Sequence, residues 1–351
     1  MSVTMIGLDT AKTSFQVHGV DQEGRAEVKR KLHRSDVVAL FEVQPACTVV
    51  LEACGAAHHW GRGLTGLGHA VKLLAPEAVR PFVKHGRKND AADAAALCEA
   101  ARRLEVKFVP VKAPEQQGVL ALHTARALLV KQQTMLANAL RGLASEFGLV
   151  VPQGFARLGE LMALVEEQTG VPATARQALG ALHDQFRALS ERAAALEVAI
   201  VAHARRDETA RRLATIPGVG PITASLIAAT VTDIGLFQSA RHFAAWLGLV
   251  PRQHSTGGKA KLGRITKAGN VAIRTSLVLG ATSMIFRAGR WNSAAGAWLR
   301  GVLGRRPVRL ATVALANKVA RIAWALMTRK EDYRPHSRAV AVPEATATAA
   351  A

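Results

Sequence analysis

Apolar positions in the first hundred residues come in short runs bounded by turn residues, the pattern of strands and brief helices. "TMIGLD" and "SFQVHGVD" read as two paired strands, and one acid, Asp9, interrupts the first apolar run. "SDVVALFE" reads as a short helix with Ser35 as its N-cap. "CTVVLEACG" is a β-branched strand ending at Glu52, and "AVKLLAP" is another strand, closed by Pro76. "NDAADAAALCEAARRL" is rich in alanine, the strongest helix former. Strands interleaved with helices predict a mixed α/β domain over residues 1–112.

From 113 to 205 the spacing becomes helical. In a first block, Leu122, Ala125, Leu129, Leu136, Leu140, Leu143 and Phe147 are expected on one face. In a second, Leu179, Leu182, Phe186, Leu189, Ala193, Leu196 and Ile200 step by three and four, a heptad seam. Joined around "VVPQGFARLG", the two blocks predict either an antiparallel hairpin within the chain or a dimerising coiled coil. Residues 206–330 read as mostly helical with glycine-rich turns, and Trp246, Trp291 and Trp324 fall in apolar helical runs expected in the core. The segment 331–351, ending "AVAVPEATATAAA", is low in complexity and expected to be disordered. The fold class expected is therefore α/β followed by α.

Charge adds a partner to this picture. The 351 residues carry 46 Lys and Arg against 26 Asp and Glu, a formal net of +20. The excess is concentrated: 20 Lys and Arg face 3 Asp and Glu between Arg206 and Lys330. A basic domain beside a more balanced one points to a polyanion, bound chiefly through phosphates. No continuous apolar run looks long enough to cross a bilayer and no signal peptide opens the chain, so no membrane partner is expected. Cys47, Cys54 and Cys98 lack CxxC spacing, which argues against a disulfide framework or structural zinc and fits a reducing cytoplasm. The single tyrosine, Tyr333, lies in the expected tail, which argues against a tyrosine nucleophile.

Four acids stand out against this basic background. Asp9 and Glu52 sit at or near strand ends, and Asp90 and Asp93 open the alanine-rich helix on one face. Carboxylates from two strands and a helix start can converge, and hard divalent cations such as Mg2+ take oxygen ligands. Two such ions about 4 Å apart stabilise the attacking and leaving oxygens of a phosphodiester. Taken singly, each acid has a simpler reading: Asp90 as an N-cap with Asp93 near a capping box, and Asp9 as a turn residue. His58 and His59 follow Glu52 but lack a third ligand at a recognisable spacing.

The basic domain carries two glycine motifs. "LATIPGVGPITASLIAAT" places Gly218 and Gly220 between helical stretches, as in a helix-hairpin-helix, where glycines admit a phosphate to the next helix's amides. A plain helix–helix turn has the same residues. "FAAWLGLVPRQHSTGGKAKLGRITKAGNVAIRTSL" combines a Ser-Thr-Gly-Gly turn with Arg252, Lys259, Lys261, Arg264 and Lys267. A hydroxyl on a flexible turn among cations suits nucleophilic attack on a phosphodiester, since nearby positive charge favours the alkoxide.

The order Asp9, Glu52, Asp90, Asp93, within "IGLDTAKTSFQV", "LEACG" and "GRKNDAADA", resembles the DEDD transposases of bridge-RNA-guided insertion sequences. The resemblance implies a RuvC-like, ribonuclease H type N-terminal domain whose four acids hold Mg2+ close to DNA. It also implies a C-terminal transposase domain with a catalytic serine in the "STGG" turn. Ser255 and Thr256 are adjacent candidates; many relatives have serine directly before the first glycine, where this chain has Thr256. Ser255 is the expected nucleophile by residue type, with Thr256 as the alternative. The activity implied is excision and insertion of a mobile element through a transient protein–DNA link. Its partners would be donor and target DNA, a structured guide (bridge) RNA, and further copies in a dimer or tetramer assembled through 113–205, in a bacterial cytoplasm at the nucleoid. A RuvC-type structure-specific endonuclease would use the same acids with water and no serine. A non-catalytic nucleic-acid-binding protein would need the acids only as caps and turns.

Overall fold

A computed structural model describes residues 3–83, 89–288 and 293–335. Trp291, the first residues of "GRKNDAADA" and most of the expected tail lie outside them. The chain divides into two compact units, Met1–Gln117 and Gly118–Ala351.

The first unit is a six-stranded sheet flanked by helices. Its strands are β1 (Met5–Thr10), β2 (Ser14–Val20), β3 (Ala26–His33), β4 (Thr48–Glu52), β5 (Ala70–Leu74) and β6 (Phe108–Val109), in the order β3-β2-β1-β4-β5-β6. The first three form an antiparallel meander, β4 and β5 run parallel to β1, and β6 is antiparallel to β5. The helices are α1 (Val37–Val43), α2 (Ala57–Gly66), α3 (Pro76–Val79) and α4 (Asp90–Ala101).

Strand alternation assigns the two faces. Ile6, Leu8, Phe15, Val17, Val49, Leu51 and Leu73 point one way, onto Val37 and Phe41 of α1 and Ala57, Trp60 and Leu64 of α2. Val50 and Leu74 point the other way, onto Ala96, Leu97 and Ala100 of α4. Gly7 shares that second face, and a Cβ there would run into the Ala94 carbonyl oxygen of α4. The alanines of α4 and the missing side chain at Gly7 together let helix backbone rest on strand backbone.

Two capping expectations are corrected. Ser35 caps nothing: the chain enters α1 through a 3-10 turn, Arg34–Asp36, and the Ser35 hydroxyl donates to the Asp36 carboxylate at 2.7 Å. Asp90 is not the cap of α4 either. Asn89 is, accepting from the Ala92 amide at 2.8 Å, so neither Asp90 nor Asp93 is used by the helix end.

The second unit is mostly helical: α5 (Pro114–Ser145), whose first turn holds the division between the units, α6 (Leu158–Glu167), α7 (Ala173–Arg206), α8 (Glu208–Ala214), α9 (Pro221–Thr230), α10 (Ala240–Trp246), α11 (Val271–Ile285), α12 (Ala294–Leu303) and α13 (Val308–Arg329). A small hairpin of β7 (Pro251–Gln253) and β8 (Leu262–Ile265) interrupts them. Helices α5 and α7 pair antiparallel within the chain: Arg126 clasps the Glu197 carboxylate through Nε and Nη2, and Gln133 donates to Ser190. The expected seam of α7 is buried at Leu179, Phe186, Leu189, Ala193 and Ile200. On α5 the buried stripe is displaced, running through His123, Gln133, Ala137, Leu140 and Ala144, and Ala125, Leu143 and Phe147 are exposed. Hydrogen bonds cause the displacement. Gln133 is buried against Ser190, and His123 meets a Ser225 hydroxyl that also meets His203, at 3.0 and 3.1 Å. Burial pushes the His123 imidazolium pKa down to about 4, so the ring sits there neutral.

One further expectation needs correction. Helix α13 is long and apolar enough, by length and composition, to cross a membrane. Its apolar side is nonetheless core: Leu315, Ala316, Val319, Ala320 and Ala323 are buried against Leu213, Phe243 and Leu277. Trp246 and Trp324 pack beside the same cluster, and the Trp324 indole donates to the Phe237 carbonyl. Tyr333 packs there too, with its amide bonded to Thr215, so the chain is still held to the fold two residues into the expected tail.

Candidate active site

The acids belong to the first unit. Strand β1 runs parallel to β4 with Leu8 opposite Leu51, so the next residues, Asp9 and Glu52, sit side by side where the two strands end. Gly7 and Val50 fix their shared face as the one covered by α4. The first turn of that helix carries Asp90 and Asp93. Three elements thus send carboxylates to one end of the α4 layer.

Electrostatics records the convergence. The Asp9 carboxyl is pushed up to about 6, first by burial and then by Asp90, Asp93 and Glu52, against a lowering hydrogen bond from the Thr10 amide. Each of the other three acids lies near enough to resist its ionisation. None of the four forms an ion pair with a described residue. Among the described residues no three acidic, histidine or cysteine side chains stand close enough to hold a metal ion as they are. The four carboxylates are therefore near one another without closing into a coordination shell. His58, by contrast, takes the Lys112 amide on Nδ1 at 3.2 Å, and burial beside Lys112 and Arg62 pushes its pKa down to about 4.

The hydroxyls belong to the second unit. The "STGG" run is a paired β-hairpin and not the loose turn expected from sequence. Thr256 bridges to Lys259 across Gly257 and Gly258, whose φ angles of 56° and 78° make the two-residue turn open only to residues tolerant of positive φ. The His254 amide donates to the Lys261 carbonyl at 2.8 Å, and the Thr266 amide to Val250 at 2.9 Å. Cross-strand partners share a face. The register therefore sets Thr256 with Lys259 and His254 with Lys261, whereas Ser255 lies on the other face with Gln253, whose side-chain amide donates to its Oγ at 2.8 Å. Residues 251 to 264 are all exposed. The side chains of Lys259, Lys261 and Arg264 make no hydrogen bond or ion pair with a described residue, and that of Arg252 uses one nitrogen on the Thr266 carbonyl.

The hairpin is exposed at its tip and anchored at its base, through residues that sequence reasoning passed over. Arg274 of α11 is buried and donates to the Leu247 and Ala268 carbonyls at 3.0 and 2.6 Å, one on each side of the hairpin. A Cβ at Gly248 would collide with Ala268 backbone, and one at Gly269 with the Trp246 carbonyl oxygen. Lys267 turns between them at φ 57°. The legible signal was a pair of glycines, Gly248 and Gly269, enclosing the whole motif. At the other glycine motif, Gly218 has φ 84° and packs against Met284, while Gly220 is the exposed N-cap of α9, ahead of Pro221. The turn lines an open pocket of about 400 Å³ with Thr215, Gly280 and Ser283.

Comparison with known proteins bears on both units. Residues 6–148, which hold all four acids, match a family of DEDD transposases of the IS110 type, described simply as "Transposase". Residues 210–296, which hold both glycine motifs, match "Transposase IS116/IS110/IS902 family". A "Probable family 20 transposase" of Pseudomonas aeruginosa is 47% identical over 342 residues, covering 95% of this chain and 100% of that protein. This chain belongs to the IS110/IS116 family of transposases. The family enzyme for insertion element IS1111A of Coxiella burnetii is 40% identical, over 95% of this chain and 92% of its own. That for element IS1328 of Yersinia enterocolitica is 39% identical, over 93% and 98%. The present transposase is thus an enzyme that acts on DNA, and its two chemical motifs lie one in each matched region.

Proposed function

We propose that this transposase excises and inserts an insertion-sequence element by cutting and exchanging DNA strands with Asp9, Glu52, Asp90, Asp93 and Ser255. The observation that carries the proposal is the crowding of three carboxylates, one from β4 and two from α4, onto Asp9 of β1. Four uncompensated oxygen donors suit a hard cation, and Asp9, Glu52, Asp90 and Asp93 are the residues that would hold Mg2+. Bound there, Mg2+ supplies charge stabilisation at a phosphodiester. The antiparallel meander continued by parallel strands supports a RuvC-like, ribonuclease H type first unit.

Ser255 is the nucleophile in this proposal. Its Oγ loses a proton and bonds to phosphorus; the bond from phosphorus to one bridging deoxyribose oxygen breaks, and that oxygen leaves as a sugar hydroxyl carrying a proton. A hydroxyl on another strand reverses the step and releases the serine. Thr256, which shares its face with Lys259, is the alternative nucleophile. Arg252, Lys259, Lys261, Arg264 and Lys267 would hold phosphates around the hairpin, and Gly218 and Gly220 would admit another in the manner of a helix-hairpin-helix. A structured guide RNA on the basic surface would select donor and target DNA. Copies would join as a dimer or tetramer through α5 and α7, a reading supported by exposed Leu128, Met135, Leu143 and Val198.

Strand cleavage on a sequencing gel tests the carboxylates. Asp9→Asn and Asp93→Asn are each expected to lower cleavage by about two to three orders of magnitude while nucleic-acid binding persists; cleavage at the wild-type rate in either would refute the acid site. A denaturing gel tests the nucleophile: a protein–DNA adduct should form and vanish in Ser255→Ala. Loss in Thr256→Ala alone would move the role to Thr256, and cleavage with no adduct at all would make the enzyme a hydrolase.

A further inference from the structure

A groove runs along the α4 face of the first unit, away from the acids toward the sheet edge. It encloses about 330 Å³ and is lined by Gln16, His18, Lys29, Lys31, Ala92 and Ala95, among others. The strand register builds its floor. Asp9 pairs with Gln16 and Gln16 with Lys31, while Gly7 pairs with His18 and His18 with Lys29. Each row keeps to one face, so a polar strip leads from Asp9 outward to two lysines. Strands lie about 4.8 Å apart, which sets Lys31 roughly 10 Å from Asp9 along the backbone row.

On the inner strand β2 this polarity is confined to one face, while on β3 the exposed Arg30 stands on the other. On their other side Phe15 and Val17 are buried with Val28 and Leu32 packed beside them. Lysines alone on an edge strand would serve only to block edge-to-edge pairing. Here Gln16 and His18, on the inner strand β2, continue the polar floor, and alanines of α4 form a low wall beside it. Neither the Lys29 nor the Lys31 side chain makes a hydrogen bond or ion pair with a described residue. Burial first, and then the positive charge of Lys29, hold the His18 pKa below its usual value against an opposing pull from Glu99, so the ring is a neutral hydrogen-bonding group at neutral pH.

The geometry points to this groove as a track for the DNA strand that delivers its phosphodiester to the carboxylates, with Lys29 and Lys31 each holding a backbone phosphate beside the one that reacts. Cations at the outer end and carboxylates at the inner end give a polyanion one direction of approach and one place to stop. Contacts of this kind position the strand without reading its sequence. The inference rests on the reading of the acids as the cutting site, and its test is separable from that reading.

The experiment measures binding of a short single-stranded DNA oligonucleotide to the full chain by fluorescence anisotropy across a salt series. Lys29→Gln/Lys31→Gln should weaken binding about tenfold at low salt and flatten the dependence of log affinity on log salt by roughly 1.4, two phosphates' worth for a single strand. Lys29→Arg/Lys31→Arg should restore both. Asp9→Asn should leave the slope unchanged, so a failed acid site would show in cleavage and not here. An unchanged slope in the glutamine variant, with its melting temperature retained, overturns the inference. So does a slope lost for an RNA oligonucleotide of the same length and kept for DNA.

Discussion

The two units reach their candidate chemistry by opposite routes. In the first, Asp9, Glu52, Asp90 and Asp93 come from elements separated by up to 84 positions in sequence, and only packing brings them together. In the second, Ser255, Thr256 and their lysines sit within one hairpin, made by local turn chemistry and two positive-φ glycines. The first site is rigid by construction, because helix backbone lies on strand backbone at Gly7. The second is exposed along its length and anchored only where it joins the fold. A site that must hold mutually repelling anions needs a frame that resists their repulsion. A nucleophile that must reach a DNA strand gains from projecting beyond its frame.

Four substitutions can break or sharpen that comparison. The largest effect is expected from Gly7→Val. The branched side chain would lift α4 off the sheet, costing about 3 kcal/mol or more by overpacking and carrying Asp90 and Asp93 away from Asp9. Denaturant unfolding and strand cleavage should both suffer; full activity in a stable Gly7→Val protein would show that α4 need not rest on β1.

Next comes Arg274→Met, which keeps bulk but leaves two carbonyls without their buried donor, a loss of about 1–3 kcal/mol. Limited proteolysis should then cut between Gly248 and Gly269 sooner than in the wild type, and adduct yield should fall while proteolysis of the first unit stays as it was. Unchanged proteolysis would mean the glycine crossings alone lock the hairpin base.

The smallest effect is also the most discriminating, because the units should answer acid with opposite signs. Asp9 titrates near 6 in the fold and near 3.8 when unfolded. The folded state binds more protons between those values, so this group's contribution falls as pH rises from about 4 to 6. In chelator-treated buffer Asp9→Asn should therefore gain stability over the wild type at pH 7 and lose that advantage near pH 4. His123 titrates near 4 folded and near 6.5 unfolded, so its contribution falls as pH drops through that window. The wild type's advantage over His123→Gln should accordingly shrink toward pH 4.5. Equal pH trends in the two variants, read from unfolding midpoints, would contradict the assigned environments.

Much of this was open to reading along the chain. The apolar alternation of "TMIGLD" and "SFQVHGVD" foretold β1 and β2 and their pairing, and β-branched "CTVVLE" foretold β4 up to Glu52. The step of three and four marked the buried side of α7. Reading failed where one polar contact outweighed a pattern of apolar ones. On α5 the hydrogen bonds of His123 and Gln133 turned the helix away from its leucine stripe. At α4, Asn89 took the cap that Asp90 could also have filled, since both types accept from the same amides. On α13 the expectation of a core run around Trp324 held, although by length and hydropathy alone the helix also passes for a membrane span, because burial in protein and in lipid select the same side chains.

By itself, the sequence determined the periods of its elements, the placing of its turns, the excess of positive charge and the kinds of donor at each motif, because these are local properties of neighbouring residues. Tertiary structure alone decided that Asp9 lies near Asp90, Asp93 and Glu52, that Arg274 ties down the hairpin, and that Lys31 ends the row that begins at Asp9, with Lys29 at the end of the row beside it. Those are contacts between segments far apart in the chain, set by strand register and by how closely backbones approach, and no local period encodes them.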